Sequence, residues 1–204
     1  MDIIKPSAHI MFPIDGPEML RRLEIIGRVC WKSEGRITED SAPRFVHMLI
    51  FDKHHESVIE HCSVTVKFVV DRGVSHEIVR HRIASYSQES TRYCNYGTGE
   101  VTFIEPPFWE KGSMEYLLWT DVLMTAAATY KQMITFGAKP QEARSVLPNS
   151  LKTELIMTAN LREWRHFFKL RTAPAAHPQM REVTIPLLAE FKESISVVFE
   201  DIQP

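Results

Sequence analysis

Ser63 to Tyr93 reads SVTVKFVVDRGVSHEIVRHRIASYSQESTRY, and along it first the hydrophobic period and then the chemistry changes. Val64, Val66, Phe68 and Val70 alternate with Ser63, Thr65 and Lys67, the period of a half-buried strand, and Asp71-Arg72-Gly73 reads as the turn that ends it. A short helical stretch is expected from Val74 to about Arg82. Arg80, Arg82 and Arg92 then surround a run of hydroxyl and amide side chains. Guanidinium groups stay charged and match phosphate oxygens in planar forks, while Ser85, Ser87, Gln88 and Ser90 can hydrogen-bond a heterocycle edge or a ribose. Composition alone leaves a solvated charge cluster at a helix end equally open. An extended segment would alternate its side chains and put Gln88, Ser90 and Arg92 on one face. Arg80 and Arg82 share a face only if the chain leaves the helix there.

Working outward, Pro17 opens an amphipathic run to roughly Ser33, with Leu20, Leu23, Ile26, Gly27 and Cys30 at helical spacing. Ser41-Ala42-Pro43 starts a second helix carrying Phe45, Met48, Leu49 and Phe51. Val101 to Ile104 reads as a strand stopped by Pro106-Pro107. Residues 113 to 136 lack Gly and Pro, and Leu117, Leu118, Val122, Ala126, Tyr130 and Met133 suit a long buried helix. Lys139-Pro140 starts a short helix ending near Leu147-Pro148. Thr153 to Thr158 suits a buried strand, Asn160 to Leu170 a helix, and Glu182 to Asp201 a closing amphipathic helix. This order implies an α/β or α+β domain.

At 204 residues the chain fits one domain, residues 1–204, able to bury ~70% of its unfolded surface. Lys plus Arg number 24 against 26 for Asp plus Glu, a net charge of −2, so no basic excess points to a nucleic-acid polymer. Cys30, Cys62 and Cys94 are odd in number and widely spaced, which argues against a disulfide framework and fits a reducing cytosol. The N-terminal stretch is broken by Pro6 and Pro13 and holds no apolar run of signal-peptide or membrane length. A soluble cytoplasmic protein is the expectation.

Three further stretches carry chemistry. His54-His55-Glu56-Ser57-Val58-Ile59-Glu60-His61 tempts a metal reading, but His54/His61 and His55/His61 do not fall on an i, i+4 face, and no Cys or Asp cluster completes a shell. No metal is expected. Arg144-Ser145-Val146-Leu147-Pro148 looks like a helix end with an exposed arginine. In Asn160 to Arg171, the stripe of Leu161, Trp164, Phe167 or Phe168, and Leu170 is by itself a core face.

Arg80-His81-Arg82, seven residues and then Ser90 resembles the signature of the flavin-dependent thymidylate synthases. The His-x-Ser/Thr-x-x-Glu-His run at His55 to His61, Arg144-x-Val-Leu-Pro and Asn160 to Arg171 resemble further elements of that family. The resemblance implies a central, mostly antiparallel sheet flanked by long helices, and a homotetramer with active sites shared between subunits. It implies FAD contacts from Ser57, Arg80, His81, Arg82, Gln88, Asn160, Leu161, Arg162 and His166, with His55 and Glu60 lining or bracing the pocket. Deoxyuridylate (dUMP) would be held by Glu77, Arg80, Gln88, Glu89, Ser90, Thr91, Arg92, Arg144 and Arg171. Arg171 falls on the arginine assigned to polarising the uracil, a catalytic role. The family commonly has Asn-Glu where this chain has Ser87-Gln88, and an amide both donates and accepts where a carboxylate only accepts.

The activity so implied is reductive methylation of dUMP to dTMP, with NADPH-reduced FAD as hydride source and 5,10-methylenetetrahydrofolate as carbon donor. Ser90 would then bind rather than attack, since it has no adjacent general base in sequence. A cysteine-based route would leave Cys94 as the one candidate, without a flanking motif. A nucleotide or RNA-end binding domain stacking bases on Tyr86, Tyr93 and Tyr96, and a flavin reductase without thymidylate chemistry, are the competing readings. No GxGxxG loop is present, so arginines must cradle the phosphates.

Overall fold

β3 (Ser63–Asp71) and β6 (Lys152–Asn160) are the two long strands of the computed structural model, which describes Met1 to Pro204. Both alternate buried and open positions, as the period-two pattern of Val64 to Val70 requires. They run antiparallel: Leu161 donates its N–H to Cys62 O at 2.9 Å, and Thr65 Oγ1 meets Thr158 Oγ1 at 2.9 Å. With β2 (Ser7–Ile10) and β4 (Ala84–Gln88) they form a four-stranded sheet in the order β2-β3-β6-β4. β1 (Asp2–Ile4) pairs in parallel with β5 (Thr102–Ile104). The fold is thus the mixed helix and sheet class expected; β1, β2 and β4 are additions to the strands read from the sequence.

The chain divides into two compact units, each assembled from three stretches. Unit one comprises residues 1–7, 68–80 and 86–156. Within it Asp71 accepts the Val74 N–H at 2.7 Å and caps α3 (Arg72–Ile78). The expected turn at Asp71-Arg72-Gly73 is therefore the start of this helix, because the aspartate carboxylate satisfies a first-turn N–H. The helix also stops at Ile78 rather than near Arg82. α4 (Met114–Thr135) begins at Ser113, whose hydroxyl accepts the Tyr116 N–H at 3.2 Å. It ends at Gly137, φ +94°, where Ala138 N bonds Met133 O and Gly137 N bonds Ile134 O, a left-handed cap that glycine adopts without steric cost. Leu123, Ala127 and Tyr130 pack with Val101, Phe103, Ala143 and Leu151. Leu117, Leu118 and Val122, read from the sequence as buried, are 50%, 60% and 61% exposed. The helix is apolar on two sides, and this chain covers only one. α5 (Pro140–Ala143) and a 3-10 turn at Arg144–Val146 follow.

Unit two comprises residues 8–67, 81–85 and 157–204. Asp15 caps α1 (Gly16–Val29), and α2 (Ser41–His47) continues as a π turn through Asp52. α6 (Leu161–Arg171) and α7 (Pro178–Phe199) supply an aromatic core of Trp164, Phe167, Phe168, Phe191 and Phe199. Neighbouring rings there lie 5.0–5.8 Å apart, within the range at which edge and face contacts are favourable. Trp164 also donates Nε1–H to Val64 O at 3.1 Å, which fixes the rotation of α6 about its axis. Leu161, Trp164, Phe167 and Phe168 of the stripe read as core are buried, whereas Leu170, in the last turn of α6, is 50% exposed.

Candidate active site

α6 presents its other face to solvent-accessible space, and its chemistry follows from that rotation. Asn160 caps the helix, its Oδ1 accepting the Glu163 N–H at 2.9 Å. Asn160, Arg162, His166 and Lys169, with Glu163 and Arg165, line a cleft of about 550 Å³ in unit two that Glu56, Glu60 and Ile83 complete. Arg162 bonds Glu60 at 2.6 Å and lies 3.6 Å from Glu56. Arg165 makes a two-pronged pair with Asp201 at 2.7 and 2.9 Å, yet its Nε is buried without a hydrogen-bond partner. Asp201 is held below the usual carboxylate range: burial works the other way, but the Arg165 hydrogen bond and charge outweigh it.

The chain leaves the helix after Ile78, so Arg80 and Arg82 are both exposed while His81 between them is 4% exposed. His81 Nδ1 lies 2.9 Å from Glu163 Oε1. Arg171 Nε donates to His81 Nε2 at 3.1 Å. The imidazole also meets the edge of Phe167, with centroids 4.9 Å apart, and the His166 ring at 5.4 Å. Burial pushes the His81 pKa below its usual value; the Glu163 hydrogen bond opposes the shift and the Arg171 charge assists it. Ligand atoms of His81, Glu163 and His166 lie within 4.8 Å of one another, but both ring nitrogens of His81 already have partners, so the grouping is a hydrogen-bond line.

In unit one the motif segment is gripped from several sides. Gln88 Nε2 donates to Ser75 Oγ at 3.0 Å and to Thr153 Oγ1 at 3.2 Å. Glu89 accepts from Tyr96 at 2.8 Å, Lys152 at 3.0 Å and the Glu154 N–H at 3.2 Å. Burial, and then the Glu89 carboxylate, push the Tyr96 phenol well above its usual pKa. Arg144 Nη1 donates to the buried Thr91 hydroxyl at 3.1 Å. Arg92 Nε donates to Gln141 at 3.1 Å. The alternation expected to put Gln88, Ser90 and Arg92 on one face ends at Gln88. Ser90 O accepts the N–H groups of both Tyr93 and Cys94, which curls the chain out of the strand.

The substrate-assigned residues Glu77, Arg80, Gln88, Glu89, Ser90, Thr91, Arg92 and Arg144 thus belong to unit one, and Arg171 to unit two. The cofactor-assigned Ser57, His81, Arg82, Asn160, Leu161, Arg162 and His166 belong to unit two; Arg80 and Gln88, assigned to both, belong to unit one. Ser57 is exposed in a 3-10 turn spanning Glu56–His61, and neighbouring His55 stacks on Trp31 at 5.7 Å. Leu161 is fully buried, its N–H bonded to Cys62 O. Sequence reasoning missed Glu163 and Lys152, and it read Tyr96 as a stacking ring rather than as the donor to Glu89. Asn160-x-x-Glu163 has the spacing of a capping box, a signal that marks Glu163 but would have aimed its carboxylate at the helix end.

The family model described as Thymidylate synthase complementing protein matches residues 15–195. The flavin-dependent thymidylate synthase of Pyrococcus furiosus is 35% identical over 179 residues, covering 85% of this chain and 71% of that protein. Its counterpart in Geobacter sulfurreducens is 30% identical over 195 residues, covering 92% and 84%. Among solved structures, the UMP/dUMP methylase PolB from Streptomyces cacaoi, bound with 5-Br dUMP, superposes with a TM-score of 0.79 at 23% identity over 98% of this chain and 96% of that one. At that identity the likeness is one of fold.

Proposed function

The chain belongs to the thymidylate synthase complementing protein family, and from that premise we propose that it is a flavin-dependent thymidylate synthase, one domain over residues 1–204, methylating dUMP to dTMP. The observation that carries the reading is the cleft of unit two, where Asn160, Arg162 and His166 line the wall beside the buried His81 that holds Arg171.

The residues present fit FAD. The cleft lies in the size range of small-molecule sites, its donors include Arg162 and Lys169, and the buried Arg165 Nε has no partner within the chain. Asn160, Arg162, His166 and Ser57 would hold the cofactor. When bound, the flavin supplies the hydride that NADPH provides and that reduces the one-carbon unit given by 5,10-methylenetetrahydrofolate.

The chain's own residues bind and polarise. Arg92 and Arg144, fixed by Gln141 and Thr91, would pair with the nucleotide phosphate, as guanidinium forks do. Gln88 already donates to Ser75 and Thr153, which aligns its amide to read the pyrimidine edge. Ser90 Oγ accepts the Arg92 N–H at 3.2 Å, a bond suited to shaping the loop rather than to nucleophilic attack. Arg171 would stabilise negative charge developing on the uracil, a role for a group that stays cationic.

The apolar outer face of α4, with Met114, Leu118 and Val122 each more than half exposed, supports an interface with another chain, since apolar patches of this kind mark interfaces; a homotetramer is the assembly proposed. Light scattering would give four times the chain's 23.6 kDa if so. No helix is long and apolar enough to cross a membrane. The test of the reading is thymidylate formation by purified protein supplied with FAD, NADPH, methylenetetrahydrofolate and dUMP. Loss of product when Arg171 becomes Ala is expected, and absence of product from the wild type would overturn it.

A further inference from the structure

Glu163 and Arg171 stand eight residues apart on α6, and His81 bridges them from another segment of the same unit. The protonation of that bridge follows from valence. Arginine only donates, so the Nε2 atom that takes the Arg171 Nε–H at 3.1 Å must carry a lone pair. The single ring proton of a neutral imidazole then sits on Nδ1, and Glu163 Oε1 at 2.9 Å accepts it. A protonated ring would set an N–H against the Arg171 N–H, so the pair requires the neutral form. Which nitrogen of a histidine bears the proton is set by the hydrogen bond the other makes, and free imidazole side chains in water favour the opposite tautomer.

We propose that Glu163 is a positioning residue for Arg171: by holding His81 with its proton on Nδ1, it keeps Nε2 open to accept from the guanidinium and so fixes the direction in which the cation points. Every part of this line is anchored. Glu163 is 7% exposed and sits in the first turn of α6, its N–H held by Asn160. The His81 ring is confined by Phe167 and His166. The backbone carbonyl of Arg171 accepts the Thr184 hydroxyl at 2.9 Å. Within that frame His81 Nε2 holds the Arg171 guanidinium at its Nε. Nothing in this geometry needs a ligand, but its value to the reaction rests on Arg171 facing the uracil, as proposed above.

The experiment pairs a readout of the tautomer with one of turnover. In protein labelled with ¹⁵N-histidine, the His81 ring, assigned by loss of its signals in His81→Gln, should show its proton on Nδ1 at neutral pH. Glu163→Leu should move the proton to Nε2 or average the two forms. Glu163→Gln, whose side-chain oxygen still accepts, should keep it on Nδ1. In dUMP-dependent NADPH oxidation, Glu163→Leu should lower kcat on the order of tenfold to a hundredfold, the scale of a misplaced catalytic group, with KM for NADPH unchanged. Glu163→Gln should recover most of that loss. A wild-type His81 protonated on Nε2 would overturn the proposal without need of any variant, as would a folded Glu163→Leu enzyme with undiminished kcat. A wild type with the proton on Nδ1 but no dUMP-dependent turnover would retain the hydrogen-bond line and remove the thymidylate reading instead.

Discussion

Arg144 Nη1 donates to the Thr91 hydroxyl at 3.1 Å, tying a 3-10 turn to the Tyr86–Tyr93 stretch within one unit. Thr91 is buried and Arg144 exposed, so the hydroxyl aims the guanidinium without removing it from water. Thr91→Val keeps the shape and deletes the acceptor. KM for dUMP should rise about three- to tenfold with kcat unchanged, the size of one hydrogen bond to a charged group discounted for exposure. Steady-state kinetics at varied dUMP would check this.

Arg171→Lys keeps the charge but loses the planar Nε donor that His81 accepts. The two cations are not interchangeable where the fork is positioned. kcat should fall on the order of 10²–10³, as when one preorganised stabilising group is removed, while flavin binding followed by absorbance stays as in wild type.

His81 titrates below its usual value because it is buried. The unfolded chain therefore binds a proton more readily than the folded one in the window below the unfolded pKa of about 6.5. The resulting stability is fully present above that pH and is lost as pH falls through the folded pKa. Urea midpoints measured from pH 7.5 downward should decline, and His81→Gln should flatten that decline, with Glu163, His166 and Arg171 the charged or titratable neighbours. A midpoint that rises on acidification would contradict the assignment.

A Cβ on Gly16 would lie 1.9 Å from the backbone oxygen of Ser194. Glycine to alanine in a helix ordinarily stabilises, but here a backbone atom stands in the way. Gly16→Ala should cost about 1–3 kcal/mol, the scale of overpacking, whereas Gly35→Ala, with nothing within 4 Å, should be near neutral. Thermal melts of the two variants decide it.

Local signals explain what was legible. The alternation at Val64–Val70 and the apolar stripe of Leu161, Trp164 and Phe168 reproduce because side-chain period and burial coincide there. β1 and β2 were invisible because Asp2–Ile4 and Ser7–Ile10 are three and four residues long and owe their form to partners far along the chain. The outer face of α4 was misjudged because an apolar face looks the same whether its own chain covers it or not. The motif segment announced its residues, but their partners, Gln141 for Arg92, Arg144 for Thr91, Thr153 for Gln88 and Glu163 for His81, come from 49 to 82 residues away. Spacing within a segment carries no trace of such contacts.

The most direct measurement is NADPH oxidation by flavin-loaded protein with methylenetetrahydrofolate, with and without dUMP, and with thymidylate quantified in the same samples. Oxidation that depends on dUMP and yields matching thymidylate is the expected result. NADPH consumption indifferent to dUMP, with no thymidylate formed, would contradict it and leave a flavin reductase in its place.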